Sequence, residues 1–256
     1  MKVLIIKRTT LALIVGLLII ISAVTINANG LNLGAVYFNQ KQNRKLPIYS
    51  VQTEEKKVAI SFDAAWGADK TRQIMAICDS YGVKATFFLV GFWVEEYPEM
   101  VKEIYNNGYE IGLHSNTHPD MTKLSKNEMM LELNTNISLI QQLTNFTPKL
   151  FRPPYGYYNN TLIETCGELG LSCIEWDVDS LDWKGLSASA IAGRVTSKAK
   201  NGSIVLFHNN SDNITEGLKM VLEYFKINSY QVVPIGELIY YDNFTINTQG
   251  TQIKEN

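Results

Sequence analysis

The chain is 256 residues long and 46% apolar, with 23 basic against 25 acidic side chains for a net charge of −2. That length supports one sizeable hydrophobic core. No basic excess points to a nucleic-acid partner, and no acidic block marks a disordered tail. Cys78, Cys166 and Cys173 are an odd set without paired spacing, so they read as small core residues rather than a disulfide framework.

In chain order, Lys2, Lys7 and Arg8 precede a continuous apolar run over 11–24. A basic start followed by an apolar core is a signal or membrane anchor, assigned to 1–28, and it places the rest of the chain outside the cytoplasm. The run is short for a spanning helix and long for a cleaved signal. Ile26-Asn27-Ala28 is a poor cleavage site, which favours an anchor that stays attached. Residues 29–46 are polar and aperiodic, a linker. Residues 47–240 alternate strand-like and helix-like segments, and the polar stretch 241–256 is expected to be a loose tail.

The strand candidates are 58–63, 85–90, 110–114, 150–152, 172–178, 203–208 and 231–234; the helix candidates are 69–81, 95–107, 126–143, 160–169, 187–200 and 215–225. Gly82, Gly108, Gly170 and Gly202 follow helices as stop signals. Seven strands alternating with helices imply an α/β fold with parallel pairing and right-handed crossovers. A (β/α) barrel, complete or incomplete, leads over an open doubly wound sheet, because no glycine-rich nucleotide loop follows any strand.

Asp63, His114, Arg152, Asp179 and His208 each fall at the C-terminal end of a predicted strand, the face that carries the active site in such barrels. His114 and His118, four residues apart, can converge on one metal ion. Asp63 reads as a general base, because Asp69 is the better placed cap for the next helix. Arg152, stiffened by two following prolines, is suited to hold Asp63 ionised. Asp179 and Asp182 can supply the acidic partner that raises the basicity of His208. Trp183 can wall an apolar pocket; Tyr157 and Tyr158 read as core packing.

These segments resemble the polysaccharide deacetylases of carbohydrate esterase family 4, which carry the nodulation-type homology domain. SFDAAWG stands for the family's TFDDGP, HSNTH for H-S/T-x-x-H, RPPYG for R-P-P-Y, DSLDW for D-x-x-D-W and LFH for L-x-H. The stretch IYSVQTEEKKVAISFD also looks like the sporulation-associated subgroup. The resemblance implies a distorted (β/α) barrel and a divalent metal, zinc or cobalt, held by His114, His118 and an Asp. It implies Asp63 as base, Arg152 as its orienting partner, His208 as acid with Asp182, and Tyr155, Trp183 and Leu206 in the substrate pocket. The substrate implied is an N-acetylated glycan, peptidoglycan above all, at the bacterial cell wall or spore envelope.

One departure stands out. Ala64 occupies the position of the family's metal-binding Asp, and Ala65-Trp66 replaces its Gly-Pro. Water, a turned Asp63, or Asn116 or Asp120 could fill the gap. Metal-assisted N-deacetylation is the leading function; the alternatives are glycan binding with little or no turnover and, third, O-acetyl ester hydrolysis.

Overall fold

The computed structural model describes residues 44–255. The signal or anchor expected over 1–28, and most of the linker over 29–46, lie outside the described residues.

After a short β1 (Ser50–Val51), the strands run β2 (Lys57–Ala64), β3 (Thr86–Leu89), β4 (Glu110–Leu113), β5 (Leu150–Phe151), β6 (Ser172–Cys173), β7 (Val178–Asp179), β8 (Ile204–His208) and β9 (Gln231–Val233). From β2 onward these pair in one all-parallel sheet. Its order is β6-β5-β4-β3-β2-β8-β7, with β9 beside the first residues of β2. Drawn as a circle, that is chain order with a single break between β6 and β7. The fold is therefore the expected distorted (β/α) barrel, opened at one seam.

The strand predicted over 172–178 is split by that seam. Glu175 turns its backbone N–H to Ile48 instead of to a strand, and the Asp177 carboxylate takes the Ser203 hydroxyl and the Ile204 N–H. Side-chain acceptors thus replace ladder bonds where the strand would have continued. The segment around β1 fills the base of the opening, bridging Ile174 through Ile48 and Ser203 through Ser50.

The helices are α1 (Thr71–Ser80), α2 (Gly91–Glu96), α3 (Pro98–Asn106), α4 (Lys126–Thr144), α5 (Asn160–Glu168), α6 (Ala188–Thr196), α7 (Ile214–Ile227) and the single turn α8 (Ile235–Leu238). The helix predicted over 95–107 is two pieces. Pro98 pushes Tyr97 out of the helical region, to φ −125 and ψ 53, and opens α3 as its first residue. Asp69 does not cap α1, whose cap position is Lys70 without a side-chain bond. Ser125 and Glu128 form a reciprocal capping box on α4.

Apolar residues sort into two layers. One lies between sheet and helices and includes Phe62, Phe87 and Phe207, stacked at 5.1 and 5.6 Å across three neighbouring strands. The other, with Phe88, Leu150 and Ile204, fills the barrel. The three cysteines are buried and unbridged.

The tail is not loose. Phe244–Ile246 (β10) and Thr251–Lys254 (β11) form a three-stranded sheet with β1. Its polar composition hid this, because Gln252 is fully buried with its amide bonded to both backbone groups of Tyr240. Gln252→Ala orphans that N–H and C=O and is expected to cost about 2 kcal/mol or more in urea unfolding; an unchanged midpoint would show that the tail does not contribute.

Candidate active site

Side chains alternate along β2, so Ser61 and Asp63 share the inner face while Phe62 faces the helices. Arg152, just past β5, is fully buried and reaches across the barrel to both. Its Nη1 donates to Ser61 Oγ and to Asp63 Oδ1, each at 2.8 Å, and its Nη2 donates to the Glu175 carbonyl at 3.2 Å. The guanidinium lies 4.1 Å above the Phe88 ring. That ring fits only because position 112 is glycine: a Cβ there would sit 2.5 Å from it. Burial alone would raise the Asp63 pKa, but Arg152, with His114 and His208, holds the carboxyl below the usual range.

His114 follows β4. Its Nδ1 meets the Arg152 carbonyl at 2.8 Å, and its Nε2 points at Asp63 Oδ2, 3.5 Å away. His118 sits in the left-handed region at φ 57, its ring 4.9 Å from that of His114. Burial depresses both imidazoles, and together with His114 it pushes His118 down to about 4, so both are neutral at pH 7. His118 Nδ1 is buried without a hydrogen-bond partner.

On the far side, His208 ends β8, in register beside Asp63. Its Nδ1 meets Asp182 Oδ1 at 2.8 Å, and its backbone N–H donates to Asp182 Oδ2 at 2.8 Å. Ser211 donates to the same oxygen at 2.9 Å. Burial works against a charged imidazole, yet Asp182, Asp63 and Asp179 together raise the His208 pKa. Asp182, not Asp179, is the hydrogen-bonded partner; the Asp179 carboxylate accepts from Leu181 N–H.

These groups converge on a cavity of about 730 Å³. Every residue expected at the site lines it except Arg152, which lies beneath. Tyr158 packs against the core as expected. Tyr157 does not: it is exposed and rests on Tyr155 with ring centroids 5.8 Å apart.

The donor set does not complete a metal centre. The two imidazoles are suitable donors, and the Arg152 carbonyl at His114 Nδ1 fixes that ring as outer hydrogen-bond partners do for metal-bound histidines. A catalytic zinc takes three protein ligands, however, and Ala64 contributes a buried methyl. No group of three candidate ligands occurs among the described residues. Asp120 is engaged by Thr122 and Lys123, and the Asn116 amide is folded against Gly91. Neither fills the gap.

The polysaccharide deacetylase family profile matches residues 50–174, spanning Asp63, His114, His118 and Arg152. A peptidoglycan-N-acetylglucosamine deacetylase of Bacillus cereus is 31% identical over 198 residues, covering 75% of this chain and 92% of that protein. The chain belongs to the polysaccharide deacetylase family. The uncharacterized YlxY of Bacillus subtilis is 34% identical over 193 residues, which are 75% of this chain. This chain spans 60% and 62% of the length of two curated relatives. Among solved structures, a family 4 pseudoenzyme from Bacillus anthracis superposes with a TM-score of 0.73 at 35% identity, over 77% of this chain and 69% of that one. A mutant of that pseudoenzyme, described as having restored enzymatic activity, aligns at 36% identity with the same TM-score, over 77% and 71%.

Several participants escaped the sequence reading. Ser61 was legible two residues before Asp63 on the same strand face. Glu175 is buried against the site with its carboxyl pushed up to about 8 by burial; an acid inside the apolar run SCIEW was its signal. Ser211, which holds Asp182, had none.

Because the folded-state pKa of His208 lies above the ordinary 6.5, the His208–Asp182 pair stabilises the fold below about pH 6.5 and loses that contribution as pH rises through the raised value. NMR titration of the His208 ring should place it above the ordinary value in the wild type and lower in Asp182→Asn. Coincident titrations would contradict the pairing.

Proposed function

We propose that this chain binds N-acetylated cell-wall glycan in the groove at the barrel mouth and removes its N-acetyl groups only feebly. The missing carboxylate at position 64 leaves its metal centre incomplete. The observation that carries this reading is the contrast within one cavity. Asp63 with Arg152, and His208 with Asp182, are fully built, while Ala64 closes the third ligand position. The described relatives that act on peptidoglycan support the substrate class and a location outside the cytoplasm.

The roles follow from the charges. Asp63, kept ionised by Arg152, can accept a proton from water at the acetyl carbon. His208, kept protonated by Asp182, can give one to the departing amine nitrogen. An amine leaves poorly without that proton and an alkoxide leaves more readily, so the intact His208–Asp182 pair favours an N-acetyl amide over an O-acetyl ester. Leu206 and Trp183 offer apolar surface for the acetyl methyl.

Loss of a partner to a metal ligand already costs about 10–100-fold. Loss of a ligand should cost at least about as much. Wild-type protein is therefore expected to purify with less than one zinc per chain. It should release acetate from N-acetylglucosamine oligomers and peptidoglycan fragments about 100-fold more slowly than Ala64→Asp. Wild-type turnover equal to that of the variant would overturn the impairment. A second reading, a binder with no turnover, draws on the likeness to the B. anthracis pseudoenzyme; glycan retention with no acetate from the wild type selects it.

A further inference from the structure

The mouth of the groove carries an aromatic side chain that the family pattern does not place there. Trp66 stands where the family has proline, and it is 67% exposed. It is not a lone exposed residue, because contacts through His118 join it to the exposed rings of Tyr155 and Tyr157 in one aromatic patch. The loop that presents it is held firmly. Gly67, at φ +66, has its carbonyl pinned by Trp93 Nε1 at 2.7 Å and by Asn209 Nδ2 at 2.8 Å. Any Cβ at 67 would meet the Asn210 amide at 2.3 Å. Phe92 props the indole from one side, with centroids 6.3 Å apart.

Across from it stands Tyr155. The two rings flank His118 edge to face, at 5.2 and 4.7 Å. Tyr155 is hooked to the His118 carbonyl through its hydroxyl at 3.3 Å and is itself exposed. The result is a preorganised pair of aromatic walls either side of the His118 ring, at the edge of the acid–base cavity. Such walls suit the flat, apolar C–H faces of pyranose rings.

We propose that Trp66 and Tyr155 form a sugar-stacking subsite that grips the glycan beside the reaction point, so that aromatic contact replaces affinity the incomplete metal centre cannot supply. This rests on the glycan-binding reading above and names the residues that would carry it.

Titration calorimetry with an N-acetylglucosamine tetramer, on otherwise intact protein, tests it. Trp66→Ala is expected to weaken binding about 10-fold, and Trp66→Phe to stay within about 3-fold of the wild type. In the Ala64→Asp background, Trp66→Ala should raise KM for acetate release with kcat little changed. Wild-type and Trp66→Ala proteins that bind alike would overturn the subsite and leave the glycan reading standing. A wild type that binds neither the tetramer nor peptidoglycan fragments would remove both. Weakening by Trp66→Ala that Trp66→Phe fails to relieve would point to loop disruption and overturn stacking.

Discussion

The buried pair between Arg152 and Asp63 is the contact on which the site depends. A guanidinium with no exposed surface is costly unless most of its donors reach acceptors and its flat faces meet apolar partners. Ser61, Asp63 and the Glu175 carbonyl accept from Nη1 and Nη2 while the buried Nε has no partner, Phe88 lies under its plane, and Gly112 makes room for Phe88. Four strands are thus committed to one cation. The same cation returns the favour: it keeps Asp63 ionised in a place where burial alone would neutralise it.

From that contact the rest of the constellation can be traced. Register puts His208 beside Asp63, and the Arg152 carbonyl orients His114. The histidines then divide by environment. His114 and His118 have no buried carboxylate bonded to a ring nitrogen at normal length and are held neutral, whereas His208 has Asp182 at 2.8 Å and is pushed toward the charged form. Three copies of one side chain within a single cavity therefore supply two different chemistries. Arrangements of titratable groups whose environments separate their pKa values are what acid–base sites require.

Much of this was legible in the chain because parallel strands advertise themselves. Apolar runs ending in polar residues marked the inner barrel, and the residues at those ends do meet. What escaped was set by tertiary partners rather than by local pattern. The division of 172–178 came from Asp177 bonding Ser203 and Ile204 from the side. The ordering of 244–254 came from one buried glutamine. Tyr157 looked like core because tyrosine is amphipathic, and it lies instead on Tyr155 in the open. Pro98 was visible in the sequence, and its veto on a continuous helix was under-weighted.

Ala64 closes β2, paired with Leu89 on the β3 side and accepting the Val90 N–H at its carbonyl. The gap in the metal centre is therefore confined to one side chain, with the framework around it kept. Codons for alanine and aspartate can differ at a single base, so a carboxylate at position 64 can be lost or regained in one mutational step. Trp66 is different, since tryptophan and proline codons differ at more than one base. Of the two positions, 64 is therefore the more readily exchanged and 66 the less.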